Sequence, residues 1–214
     1  DAALAVPSDV AVIATTSFLA DVAPDIEACV RRGLHVLTTA EECAQPWAVD
    51  PALADRLDGL AREAGVAVLG TGVNPGLIFD ALVLTAAGAT WDVAGIRVTR
   101  MVDLSGFGAT VLGRLGIGYD ADAFAEARAR GAIRGHLGFP QSMHVVAHAL
   151  GRRIERIERD LEPIVARTEV ATPALVVAPG QTVGFVQRYV GHVDGAPWFH
   201  ADLTGHVAPA VDGL

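Results

Sequence analysis

Short apolar segments rich in β-branched residues recur along the first third of the chain, at residues 10–15, 34–38 and 66–70. Uniformly apolar segments of this length are typical of strands that are buried on both faces of a parallel sheet. Two helical patterns separate them, and the second has clear signals: Asp50 as N-cap, Pro51 at the first helical position and Gly65 at the end. This alternation predicts a partial Rossmann sheet, doubly wound, parallel and of the α/β class.

Two further helix starts are predicted from the positions of prolines. Pro24 is expected at the first position of the helix that ends at Gly33, and Pro75 at the first position of a helix over residues 74–88, with Asn74 as its N-cap. Proline is favoured at this position because its missing N–H would have no partner in the first turn of a helix.

After residue 90 the pattern changes. Residues 93–104 are too long and too alternating for a buried parallel strand, and we expect them to open a second, mostly antiparallel sheet. Further helices are predicted over residues 120–131 and 141–157, and further strands near residues 160–170, 182–193 and 197–207. The sequence therefore predicts two domains, a parallel α/β domain over residues 1–90 and an α+β domain over residues 91–214.

A phosphate-binding loop is the part of a dinucleotide-binding fold that the sequence lacks. No G-x-G-x-x-G lies between a strand and a helix, and the glycines of residues 106–113 stand in a different context. Residue 1 is expected to lie just before a middle strand, and the last residues stop without a closing strand or helix. We therefore expect the later part of a Rossmann domain, without its glycine-rich first half, and a second domain truncated at its C-terminus.

Composition narrows the possible partners. The net charge is −9 and the sequence contains no basic stripe, so no nucleic-acid surface is expected. Every cationic residue is arginine, and the absence of lysine excludes Schiff-base chemistry, including covalently held pyridoxal phosphate. No apolar segment is long enough for a membrane span. The expected partners are small molecules or a second copy of the chain.

Cysteine and histidine spacing argues against a metal site. Cys29 and Cys43 are too few for a disulfide framework and match no metal-ligand spacing, so we expect packed small hydrophobes in a reducing compartment, the cytoplasm. His144 and His148 lie one helical turn apart, but Val145 stands where the glutamate of H-E-x-x-H would be. A partly buried helix face is therefore favoured over zinc.

Three segments follow the carboxyl ends of the predicted strands, where open α/β sheets bind ligands: residues 15–18, 38–47 and 70–76. Only the middle segment supplies acids, Glu41 and Glu42. Capping explains the pair equally well at this point, since Thr39 with Glu42 and Thr38 with Glu41 both match a capping box. The segment is longer than a strand-to-helix turn requires, however, and extra length here is typical of functional loops. Catalysis and capping both stay open.

Four motifs together resemble a known family. They are "VAVIATTS", "GLHVLTTAEE" followed by "PW", "GTGVNPGLIFD" and "GHLGFPQSMHVVAHALG". The combination resembles the 2,4-diaminopentanoate dehydrogenase family, which includes the native NAD(P)-dependent amine dehydrogenases and is often described as dihydrodipicolinate-reductase-like. The resemblance extends from about residue 10 to about residue 190.

The resemblance implies a Rossmann domain followed by an α+β domain that holds the substrate and forms a homodimer. It implies reversible oxidative deamination of a primary amine or amino acid, such as 2,4-diaminopentanoate, with NAD or NADP as cofactor. The family's catalytic glutamate matches Glu41 or Glu42, and Glu41 is favoured because Glu42 has the better capping alternative. Residues that the resemblance places near the cofactor are Thr15, Thr16 and Ser17 along the ribose and phosphates, and Gly72 and Asn74 near the nicotinamide.

The chain also departs from the family pattern. Gln141 stands where the family leads us to expect an acidic residue, which changes either the preferred substrate charge or only a local cap. The absence of lysine argues against dihydrodipicolinate reductase activity itself. Two alternatives stay open: a related reductase acting on a semialdehyde or cyclic imine, and a non-catalytic Rossmann-like binding protein.

Overall fold

The structure, a computed structural model, describes residues 3–209. Its strands are β1 (Val10–Ile13), β2 (His35–Thr38), β3 (Val68–Gly70), β4 (Ile96–Asp103), β5 (Arg156–Val165), β6 (Val170–Ala171), β7 (Val176–Val177), β8 (Thr182–Val193) and β9 (Ala196–His206). Its α-helices are α1 (Leu19–Val30), α2 (Pro51–Ala64), α3 (Ala81–Ala87), α4 (Ala109–Arg114), α5 (Ala121–Ala129) and α6 (Phe139–Ala149). Short 3₁₀ turns cover Ala3–Ala5, Glu41–Ala44 and Pro46–Ala48. No helix within residues 3–209 has the length and apolar character that crossing a bilayer requires.

The chain divides into two compact units. One contains residues up to 93 together with 138–155, and the other contains 94–137 and the residues from 156 onward. The predicted boundary after residue 90 differs from this division because α6 belongs with the first unit. The predicted truncation of the second domain concerns chain ends beyond residue 209, which lie outside the described residues.

The first unit is built on a parallel sheet with the strand order β1-β2-β3. The residues that end the strands, Ile13, Thr38 and Gly70, stand level with one another. Helices α1 and α2 pack on one face of this sheet, and their apolar side chains form its core with the strands: Ile13, Leu19, Val22, Ile26, Val36 and Leu57. The predicted α/β class with a parallel, Rossmann-like sheet is confirmed.

The opposite face of the same sheet is exposed in the described part of the chain. Val12, Leu37 and Leu69 form one row across the three strands, and 70%, 38% and 52% of their surfaces are exposed. The prediction of strands buried on both faces was wrong here, because α1 and α2 both contribute to the core on the other side.

Helix boundaries follow local signals in some places and distant contacts in others. Helix α2 is as predicted: the Asp50 side chain accepts a hydrogen bond from Leu53 N–H at 3.0 Å, and Gly65 ends the helix at φ +68°. Helix α1 begins at Leu19, five residues earlier than predicted, and includes Pro24. Helix α3 begins at Ala81 with Asp80 as N-cap, so the predicted cap at Asn74 was wrong.

The second unit contains a four-stranded sheet with the order β4-β9-β8-β5. Strands β4 and β9 are parallel, whereas the pairs β9–β8 and β8–β5 are antiparallel, so the sheet is mostly antiparallel as predicted. Strand β5 begins at Arg156, where the predicted helix was expected to end, since these residues pair with β8 instead. Helices α4 and α5 belong to this unit, and α4 was not predicted.

A buried glutamine holds the segment that follows α5. Gln187 on β8 is fully buried, accepts a hydrogen bond from His136 N–H at 2.8 Å and donates to the His136 carbonyl at 3.1 Å. The backbone at Gly135 has φ +65°, and a β-carbon there would press on the Gln187 amide. Gln187 therefore pairs with this segment as a neighbouring strand would.

Replacing Gln187 by leucine is expected to lower the free energy of unfolding by about 2–4 kcal/mol, because two partly buried backbone groups of His136 lose their hydrogen-bond partner. Urea denaturation measures the change. Gln181→Leu serves as the matched control, since the Gln181 side chain accepts only an exposed hydrogen bond from Ala178 N–H. Equal losses in both variants would contradict the role of burial.

Candidate active site

Three loops leave the parallel sheet side by side at its carboxyl edge. They begin after Ile13, Thr38 and Gly70, and backbone hydrogen bonds join their first residues: Thr39 N–H to the Ile13 carbonyl at 3.1 Å and Thr71 N–H to the Thr38 carbonyl at 2.9 Å. Ligands bind at this edge in open α/β sheets. All the predicted site residues lie in these loops, so the structure brings them to one edge of one unit.

Glu42 is held by the neighbouring loop and by α1. Its backbone N–H donates to the Ser17 carbonyl at 3.2 Å, and its carboxylate accepts a hydrogen bond from Leu19 N–H at 2.7 Å. Leu19 is the first residue of α1, and the adjacent N-cap, Phe18, makes no side-chain cap. A carboxylate at a helix N-terminus pairs with the positive end of the helix dipole. Glu42 is therefore the cap of α1.

The predicted capping boxes within the segment did not form. The 3₁₀ turn Glu41–Ala44 has Ala40 as its N-cap and no side-chain cap. The Thr38 hydroxyl accepts a hydrogen bond from Ala40 N–H at 3.1 Å instead. Glu42 does act as a cap, but for a helix that begins 23 residues earlier in the chain.

Glu41 has a different environment. It is half-buried, and among the residues that the structure describes its carboxylate has no hydrogen-bond or ion-pair partner. It lies against two other segments of the first unit, because a β-carbon placed on Gly138 would stand 3.2 Å from the Glu41 β-carbon and would overlap the ring of Pro75. Gly138 has φ +96°, so both its conformation and this close approach favour glycine.

The turn that carries Glu41 and Glu42 also packs tightly on β3. A β-carbon on Gly70 would overlap the carbonyl group of Cys43. Burial, with a smaller contribution from Glu42, raises the pKa of the Cys43 thiol to about 11, so the thiol is protonated at neutral pH. Cys29 and Cys43 are both free and buried, in agreement with the expectation of packed hydrophobes.

Asn74 lies in the third loop and is buried. The loop carries a cis peptide bond between Asn74 and Pro75, and Gly76 follows at φ +127°. The hydroxyl of Ser142 on α6 lies 3.4 Å from the Asn74 side-chain oxygen and 3.0 Å from a carboxylate oxygen of Asp80. Sequence reasoning missed Asp80 and Ser142 as members of the site, although both stand inside motifs that carried the family resemblance.

The predicted cofactor residues differ in how far their polar groups are already engaged. The Thr16 hydroxyl accepts a hydrogen bond from Phe18 N–H at 3.3 Å and donates one to the Asp21 carboxylate at 3.3 Å. The Ser17 carbonyl accepts a hydrogen bond from Glu42 N–H. Thr15 and Gly72 are exposed at the ends of their loops. The N-terminus of α1 already receives the Glu42 carboxylate. Thr15 and Gly72 are therefore the most accessible of the predicted cofactor residues.

Two other features lie outside this arrangement. A pocket of about 320 Å³ borders α2 and the turns after β2, and its lining includes Cys43, Trp47 and Leu69 but not Glu41. Within residues 3–209 no three His, Cys, Asp or Glu side chains come together as a metal site would require. Of the two histidines on α6, His144 is half-buried and His148 is exposed.

The family model of the 2,4-diaminopentanoate dehydrogenase C-terminal domain matches residues 77–214. The chain belongs to the 2,4-diaminopentanoate dehydrogenase family. The resemblance inferred from the four motifs is thereby confirmed. The 2,4-diaminopentanoate dehydrogenase of Acetoanaerobium sticklandii is 35% identical over 208 residues, which are 97% of this chain and 59% of that protein. The chain thus spans well under two thirds of this relative.

Solved structures support the fold. The amine dehydrogenase from Mycobacterium smegmatis superposes with a TM-score of 0.76 at 24% identity, over 93% of this chain and 59% of that one. The biliverdin reductase from Synechocystis, solved with biliverdin and NADP+, superposes with a TM-score of 0.50 at 12% identity, over 97% of this chain and 56% of that one. Similarity at this level of identity shows a shared Rossmann-like α/β fold.

Removing the Glu42 cap is expected to destabilise the chain. Glu42→Ala should lower the free energy of unfolding by about 0.5–2 kcal/mol, because Leu19 N–H loses its acceptor, whereas Glu42→Gln keeps an acceptor oxygen and most of the stability. Chemical denaturation checks both. Glu41→Ala is the matched control and should change the free energy by less than about 0.5 kcal/mol. A larger loss in the control than in Glu42→Ala would refute the assignment of the cap.

Burial lowers the pKa of His144 below its ordinary value of 6.5. As the pH falls below 6.5, His144 is protonated more readily in the unfolded chain than in the folded chain. Protonation therefore favours unfolding, and the contribution of His144 to the free energy of unfolding falls between pH 6.5 and the lower pKa of the folded chain. His144→Gln should therefore narrow the difference in unfolding free energy between about pH 7 and about pH 5. The exposed His148→Gln on the same helix is the control, and an equal effect of both substitutions would argue against burial as the cause.

Proposed function

We propose that this family member takes part in NAD(P)-dependent oxidative deamination and the reverse reductive amination of a primary amine or amino acid, with Glu41 as the acid/base residue. The observation that supports this most is the contrast between two neighbouring carboxylates. Glu42 is occupied as the cap of α1, while Glu41 stands without a protein partner among residues 3–209, at the ligand-binding edge of the sheet.

Glu41 can serve both halves of this reaction. An amine must lose its ammonium proton before the carbon that bears it can be oxidised, and a positioned carboxylate can accept that proton. Once that proton has passed to bulk water the carboxylate is ionised again, and it can take a proton from the water that attacks the iminium carbon and return it to the nitrogen, which then leaves as ammonia and gives the ketone. While the iminium exists, the negative charge of the carboxylate stabilises it across the site.

The cofactor, NAD or NADP, supplies the hydride acceptor at its nicotinamide ring when it is bound. Thr15 and Gly72, which are exposed, are proposed to line the ribose and nicotinamide. Thr16 and Ser17 are proposed to contact the same part of the cofactor through their backbone groups. Asn74 is proposed to fix the nicotinamide end of the site from the third loop.

The substrate class is a proposal for this chain and is taken from its relatives. The curated relative is a 2,4-diaminopentanoate dehydrogenase and the solved one an amine dehydrogenase, and this chain spans 59% of each. A homodimer formed through the second unit and a cytoplasmic location complete the proposal.

The test is an assay of the purified protein, expressed with all of its coding sequence, for NAD(P)H-dependent reductive amination of small ketones with ammonia and for the reverse oxidation of the amines. Glu41→Gln should lower kcat by about 10²-fold or more, the range attributed to general acid–base groups. It should leave the free energy of unfolding unchanged, because the Glu41 carboxylate has no hydrogen-bond or ion-pair partner within residues 3–209.

Glu42→Gln is the matched control, since it removes the same charge one residue away and keeps the α1 cap. Loss of turnover in Glu42→Gln together with retention in Glu41→Gln would transfer the role to Glu42. Omitting ammonia separates the rival reductase, which would reduce a semialdehyde or cyclic imine without it. A protein that binds neither NADH nor NADPH in a fluorescence titration would instead match the non-catalytic alternative.

A further inference from the structure

A buried carboxylate beside the proposed site has no part in the chemistry above. Asp80 is 3% exposed. One of its oxygens accepts from Ala81 N–H at 2.8 Å, and the other accepts from Gly76 N–H at 2.7 Å and from the Ser142 hydroxyl at 3.0 Å. A carboxylate is costly to bury unless hydrogen bonds replace its water, and three donors do so here.

Capping of α3 does not explain this arrangement. Asp50 of α2 and Asp120 of α5 are ordinary aspartate caps: each is exposed, and among the described residues each side chain accepts a hydrogen bond from its own helix alone. Asp80 instead reaches two other segments, the loop after β3 through Gly76 and helix α6 through Ser142. Burial and these two distant donors set Asp80 apart from the other caps.

Both of those segments border Glu41. Gly76 directly follows Pro75, and Ser142 lies one helical turn beyond Gly138, to which its N–H is bound at 3.0 Å. Pro75 and Glu41 both lie against Gly138, since a β-carbon there would overlap the Pro75 ring and stand 3.2 Å from the Glu41 β-carbon. The hydrogen bonds of Asp80 therefore tie together the two backbone segments that border Glu41.

We propose that Asp80 and Ser142 are positioning residues, which fix the Asn74–Gly76 turn and the start of α6 around Glu41. The Ser142 hydroxyl also lies 3.4 Å from the Asn74 side-chain oxygen, so Asn74 stands beside the same hydrogen bonds. Neither residue is proposed to touch the substrate. The inference rests on the proposed function only in giving Glu41 its catalytic role.

The first experiment compares Ser142→Ala, Ser142→Thr and Asp80→Asn in the full-length protein. Ser142→Ala should lower kcat about 10-fold or more, since small misplacements of reacting groups have effects of this size. The dissociation constant of NAD(P)H should rise by a smaller factor than kcat falls, because the Asn74–Gly76 turn is loosened while Thr15 and the first loop keep their contacts, and Ser142→Thr should restore kcat by returning the hydroxyl. Asp80→Asn should lower kcat at least as much, because one acceptor oxygen becomes an NH₂ group that faces donors.

Asp120→Asn is the matched control, the same substitution at an exposed cap of α5 in the other unit, and it should leave kcat unchanged. If Asp80→Asn fails to fold, Ser142→Ala carries the test, since it leaves both backbone hydrogen bonds of Asp80 in place. A normal kcat in Ser142→Ala, or equal losses of kcat and cofactor affinity, would overturn the proposal.

Amide hydrogen exchange of residues 72–81 gives a readout that needs no turnover. Because Ser142→Ala removes the hydrogen bond between Ser142 and Asp80, we expect the amides of this segment to exchange faster in the variant than in the wild type. Exchange in α5 should be unchanged. Unchanged exchange across residues 72–81 would also overturn the proposal. If the wild-type protein lacks amine dehydrogenase activity, but residues 72–81 still exchange faster in Ser142→Ala than in the wild type, the proposed function is rejected. The structural role of Asp80 and Ser142 is then kept.

Discussion

The hydrogen bond between Leu19 N–H and the Glu42 carboxylate is the contact on which the arrangement of the candidate site depends. It joins the loop after β1 to the turn after β2 and sets the first residue of α1. With the bond from Glu42 N–H to the Ser17 carbonyl, it fixes the turn Glu41–Ala44 at two points. The turn therefore cannot shift along the sheet edge without uncapping a helix.

This constraint gives two adjacent, chemically identical side chains different roles. The Glu42 carboxylate must point toward α1 to satisfy its N-terminus, so Glu41, the preceding residue of a tight 3₁₀ turn, points elsewhere. On the other side of that turn, Gly138 and Pro75 approach closely enough to leave Glu41 half-buried without giving it a hydrogen-bond donor. A carboxylate that is partly shielded and has no protein partner is available to a substrate, whereas a capping carboxylate is not.

Buried polar groups organise both units by the same principle. In the first unit the Asp80 carboxylate binds donors from three segments, and in the second the Gln187 amide pairs with the backbone of His136. In each case a buried side chain supplies hydrogen bonds to an irregular segment, as a neighbouring strand does for a strand of a sheet. Both side chains are almost inaccessible, so removing either polar group would leave its hydrogen-bond partners without a replacement from water.

Local chemistry was sufficient to predict part of this protein. The start and end of α2 followed from Asp50, Pro51 and Gly65, because an N-cap, a first-turn proline and a left-handed glycine act on neighbouring residues. The parallel strands and the second, mostly antiparallel sheet followed from the hydrophobic pattern, and the family followed from motifs. The carboxylates of the second loop were also identified as the candidate acids.

Tertiary structure decided the rest, for reasons of distance along the chain. The start of α1 depends on a carboxylate 23 residues away, so Pro24 gave the wrong boundary. The start of α3 depends on Asp80, whose burial requires α6, 62 residues beyond. The choice between Glu41 and Glu42 depends on which of them meets a helix N-terminus, and no pattern within the segment contains that information.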